Sequence, residues 1–173
     1  MSKRSGSRAG SWAERLARGL GSGGGVPREE EAFRAAAAFG ALWDLFDKAR
    51  SQANEALRTY GIGEGIAVRE EETLRRYCAT GADGQERHIA VLPLRRGEGG
   101  EAIGAYIGTS STRATMYVVP VEKRGRVAWQ VAASGQQFDA DVVHDLFLSI
   151  FADDPAATSR LSPLSGTVYF QIP

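Results

Sequence analysis

A single cysteine, Cys78, among 173 residues excludes an intramolecular disulfide and fits a reducing compartment. Histidine is nearly as scarce. His88 and His144 stand far apart with no cysteine beside either, which is not the clustered spacing of a zinc site, so no metal is implied. Long apolar runs are also missing: nothing approaches the ~18 residues of a membrane-spanning helix, and the start lacks the apolar core of a secretory signal. These absences make cytoplasm the expected location. Net charge is absent too, since 21 Lys and Arg balance 21 Asp and Glu. The chain as a whole therefore makes no electrostatic case for nucleic acid or an anionic membrane.

The balance is uneven along the chain. The first twenty residues hold Lys3, Arg4, Arg8, Arg15 and Arg18 against Glu14 alone, leaving the body mildly acidic. Their arginine-rich, serine-rich, acid-poor character is also that of an organellar transit peptide. Met1 to Gly10 is small, polar and basic, a composition that predicts disorder. Ser11 with Glu14 then forms a capping box, Glu14 and Arg18 are an i,i+4 pair, and Trp12, Leu16 and Leu20 share one face. That predicts a short amphipathic helix, too short to stand alone. Glycines from Gly19 to Gly25 follow as a linker. Residues 1–26 thus read as a flexible basic tail, and residues 27–173 as a single α+β domain.

From Pro27 to Gly61 the pattern predicts one long helix. Pro27 suits a first helical position, Glu29 to Glu31 put negative charge on the N-terminal dipole, and Gly61 can close the helix in the left-handed conformation. Ala32, Ala35, Phe39, Leu42, Phe46, Ala49, Ala53, Ala56 and Tyr60 recur at steps of three and four, with Trp43 and Leu57 widening the stripe. Such a helix spans about 50 Å, against roughly 40 Å for a compact body of the remaining size. It therefore either overhangs, offering its stripe to a partner, or bends at Gly40.

Beyond Ile62 the period becomes alternating, with turn residues about every ten positions, the mark of an antiparallel meander. Strands are expected near 66–69, 73–80, 86–95, 102–108, 114–122 and 126–133, with Pro93 and Pro120 at an edge, a bulge or near a strand end. The runs 89–92 and 117–121 are apolar at every position, which suits strands covered on two sides, one by the long helix and the other by a second helix from Asp139 to about Phe151. Pro155 ends that helix, a loop spans 156–166, and a last strand is expected over Thr167 to Ile172. The fold class is therefore α+β: a six- to seven-stranded, mostly antiparallel meander on a long N-terminal helix, with a second helix and a final strand at the C-terminus.

Catalytic motifs do not emerge. Gly61-Ile62-Gly63-Glu64-Gly65 leaves a helix and enters a strand, the wrong polarity for a phosphate loop. Neither histidine has a nucleophile motif spaced to it, and the Asp139/Asp141 and Asp153/Asp154 pairs sit where helix capping accounts for them. Basic residues at strand ends (Arg75-Arg76, Arg95-Arg96, Arg113, and Lys123-Arg124 with Arg126) would make a basic edge near Tyr77, Tyr106, Tyr117 and Trp129 if the meander brought them together. No catalytic residue, cofactor or metal is assigned. The reading is a non-catalytic protein-interaction or assembly module with two docking elements. One is the tail, through Trp12, Leu16 and Leu20, which also permits weak membrane-surface contact. The other is the long helix, through Phe39, Trp43 and Phe46, with a homodimer as one form. The alternative is a small-ligand or single-stranded nucleic-acid binder using one face of the sheet, with a pocket lined by Trp129, Tyr117 and His88.

Overall fold

The computed structural model describes residues 29–110 and 115–165. The tail with Trp12, Leu16 and Leu20, Pro27, Arg113 and the expected strand Thr167 to Ile172 lie outside the described residues. The long helix is α1, Glu29–Thr59, running through Gly40 without a break. Its end follows from Gly61, whose φ of 67° is open to glycine without steric cost. The Ile62 amide donates to the Leu57 carbonyl at 2.9 Å and the Gly61 amide to Arg58 at 3.1 Å, the paired bonds of a Schellman cap. The chain is then tied back to the helix. Asn54 Oδ1 accepts from the Ile66 amide at 2.7 Å, while Asn54 Nδ2 and Arg50 Nε both donate to the Ile66 carbonyl.

Seven strands follow in sequence order as one antiparallel meander: β1 Ala67–Glu70, β2 Arg75–Thr80, β3 Glu86–Arg95, β4 Ala102–Thr109, β5 Met116–Lys123, β6 Arg126–Val131 and β7 Gln137–Phe138. Both prolines sit where no ladder bond is lost. Pairing of β2 with β3 stops at Val91, short of Pro93, and a register shift follows at Leu94/Arg95. Pairing of β4 with β5 stops at Val118, short of Pro120. Strand β7 was not anticipated, because two residues are too few to show alternation.

Helix α2, Ala140–Phe151, starts as expected on Asp139, whose carboxylate accepts from the Asp141 and Val142 amides. The segment after it differs from the expected loop. Pro155 opens a further short helix, α3 (Pro155–Leu161), since proline fits a first helical position and Asp154 caps the Ala156 and Ala157 amides. Ala157 and Leu161 are buried.

The two larger helices do not cover opposite faces of the sheet. Phe46 of α1 and Phe147 of α2 both meet the Tyr77 ring, at 5.2 and 6.2 Å, and each other at 6.4 Å, so both lie on the same face. Cross-strand register places Tyr77, Ile89, Val91, Ile107, Ala105, Met116, Val118, Val131, Trp129 and Phe138 on that face, all buried. Trp129 packs on Phe39 at 5.8 Å and its indole N–H donates to the Ala38 carbonyl at 3.0 Å, so the ring is buried without an orphaned donor.

Candidate functional site

In a pleated sheet, successive side chains point to opposite sides, so the registers that place the core also define the reverse face. Leu92 stands opposite Tyr106, Tyr106 opposite Tyr117, Leu94 opposite Gly104, and Val121 opposite Ala128. With Val119 they form an apolar centre, half-buried except at the buried Gly104, with none belonging to the core cluster. Among the described residues no helix or strand lies over them. Tyr117 is held in place: its hydroxyl donates to the Ile103 carbonyl at 3.1 Å, its ring lies 4.9 Å from Tyr106, and it occupies the space a Cβ at Gly104 would need. Glycine across from an aromatic ring lets the ring lie flat on the strand. Charge on this face lies at its margins, with Arg69, Arg76, Glu86 and His88 at one corner and Lys123 beside Arg126 at another.

His88 belongs to the first corner. Its Nε2 lies 3.5 Å from Arg76 Nη1, and its pKa is lowered by burial and then by the Arg76 cation. Cys78, directly across from it, is buried with its thiol pKa raised, chiefly by the same desolvation. A protonated thiol in that setting is a small apolar residue and a weak nucleophile. His144 is exposed on α2.

A second surface lies at one end of the sheet, where a meander gathers alternate turns. A groove of about 590 Å³ runs between the β1–β2 turn and the β3–β4 loop, with Trp43 of α1 at its side and Leu74 and Pro93 among its walls. Trp43 is fixed by Arg75, whose guanidinium lies 4.3 Å from the ring centroid while also bonding Asp47 and Glu70. Asp47 in turn accepts from the Tyr77 hydroxyl at 3.0 Å. Burial keeps that phenol's pKa above its ordinary value, so it stays a donor. Arg95 also lines the groove and stacks over Phe39 at 4.8 Å.

The residues singled out from sequence divide accordingly. Phe39 and Phe46 are 2% and 0% exposed, so both are taken up by the chain's own core and are withdrawn as partner-binding residues. The cause is the meander itself, which is wide enough to seal the middle of α1. Trp43 remains partly exposed at the groove. The expected pocket of Trp129, Tyr117 and His88 does not form, because Trp129 lies on the helical face and the other two on the reverse. Basic turns do share one end, but Glu70, Glu71, Glu98, Glu101 and Glu122 are interleaved with them, and Arg75, Arg76 and Arg96 have carboxylate partners there. Leu92, Leu94, Val119 and Val121 were missed as surface residues. The signal was present in the runs apolar at every position, read as two covered faces when, among the described residues, only one is covered by helix.

Among the described residues, no helix is long and apolar enough to cross a membrane, and no group of three or more His, Cys, Asp or Glu is placed to hold a metal ion. No family model, curated protein or solved structure matches the chain. The fold and its surfaces therefore define the class: an α+β domain whose seven-stranded meander carries its helices on one face and an apolar, tyrosine-bearing surface on the other.

Proposed function

We propose that the chain is a non-catalytic protein-interaction module that assembles with a second copy of itself through the face of the sheet opposite α1 and α2. The observation that supports this reading is the patch formed by Leu92, Leu94, Tyr117, Val119 and Val121, which no described element covers. Four strands spaced at ~4.8 Å and four or five residues along each give a footprint on the order of 300 Å², a size at which apolar patches mark interaction sites. A second copy suits it because the centre is uncharged. Two such centres meet without like-charge repulsion, stack as sheets do at ~10 Å, and satisfy the self-complementarity of a two-fold interface.

Sedimentation of the full chain over a concentration series tests this, beside a variant carrying Leu92→Glu and Val119→Glu. The wild type is expected to be a dimer and the variant a monomer that keeps the wild-type circular dichroism spectrum, with a urea midpoint that, unlike the wild type's, does not depend on protein concentration, since both positions are partly exposed in a single chain. A wild type that is monomeric throughout overturns the reading.

A further inference from the structure

We propose that the groove beside Trp43 is the docking site of the chain's own basic segment, Ser11 to Leu20. This rests on the groove and on charge, independently of the sheet-face reading.

Glu70, Glu71, Glu72 and Glu98 line the groove against the two guanidiniums of Arg75 and Arg95. Both arginines already have partners within the domain, Arg75 with Trp43, Asp47 and Glu70, and Arg95 with the Phe39 ring. Glu72 and Glu98 are exposed and have no cationic partner among the described residues. The groove thus offers an indole edge and apolar walls under a rim of carboxylates. Its complement is a short peptide with an apolar face and arginines beside it. Ser11 to Leu20 has that make-up, with Trp12, Leu16 and Leu20 at i, i+4, i+8 and with Arg15 and Arg18 between them.

Tether length permits the contact. Trp43 lies about 21 Å along α1 from Glu29 at 1.5 Å per residue. Residues 21–28, rich in glycine, span up to ~28 Å when extended, so the segment can fold back along the helix to the groove. The tether also holds the segment at an effective concentration in the millimolar range, so weak exposed ion pairs suffice once Trp12 and Leu16 are covered.

Limited trypsin digestion of the full chain, followed by mass spectrometry, reads the docking directly. Cleavage after Arg15 and Arg18 is expected to be at least severalfold slower than cleavage after Arg4 and Arg8, which serve as the internal reference. The Glu72→Gln, Glu98→Gln variant, altered only at exposed positions, is expected to bring the two rates within about twofold, as is Trp12→Ala. Equal rates in the wild type overturn the proposal. So does protection that survives both variants, and so does protection that grows with protein concentration, which would place the segment on another molecule.

Discussion

Replacing Phe46 with alanine separates the two roles its position on α1 suggested. The ring is fully buried and lies between Tyr77 at 5.2 Å, Phe138 at 6.1 Å and Phe147 at 6.4 Å, so it joins α1 to β2, β7 and α2. Truncating a buried phenylalanine costs about 3–5 kcal/mol, from lost transfer energy and the cavity left behind. The upper part of that range is expected here, because three rings on three elements cannot all collapse into one gap. Against a total stability of about 5–15 kcal/mol, this is a large fraction. In a chain of this length it corresponds to a fall in Tm of roughly 6–20 °C. Urea unfolding followed by circular dichroism measures it, with an unchanged slope showing that the midpoint shift is a stability change. A loss below ~1 kcal/mol combined with a changed solution mass would refute the reasoning and return Phe46 to a partner surface.

Other expectations follow from single positions. Gly40→Ala should stabilise by about 0.5–1 kcal/mol, since α1 is continuous there and an added Cβ meets nothing within 4 Å; a lower urea midpoint would count against a regular helix at that point. Gly61→Ala should instead cost about 1 kcal/mol, because the φ of 67° in the Schellman cap strains any side chain even where space is open. For His88, burial and Arg76 lower the folded-state pKa below the ordinary 6.5, so the unfolded chain takes up the proton first. Its contribution is therefore fully present above about pH 6.5 and is lost as the pH falls through the folded pKa. Urea midpoints measured at descending pH should drop less steeply for His88→Gln than for the wild type, and parallel curves would exclude this source.

Much of the fold was legible because its signals are local. The stripe of α1, the closing role of Gly61, the cap at Asp139 and the ten-residue spacing of the strands each depend on residues a few positions apart, and each has its counterpart in the structure. Pro155 was ambiguous at the same range: proline after one helix can equally begin the next, and the Asp154 side chain decides which. The site was less legible. Phe39, Trp43 and Phe46 lie on one stripe in sequence, yet two are sealed and one borders a groove, because only the width and curvature of the meander determine how far a helix is covered.

The chain's own pattern determined that there is one long amphipathic helix, that a run of antiparallel strands follows it, and that the residues after Asp139 turn helical again. Those outcomes follow from periods of 3.6 and 2 and from turn and cap chemistry, which act over a few residues. Tertiary structure alone decided that both larger helices share one face, leaving Leu92, Tyr106, Tyr117 and Val119 on the other, and that Trp43 meets Arg75 beside a carboxylate-rimmed groove. An alternating strand defines two faces without saying which is covered; that depends on where distant segments of the chain come to rest.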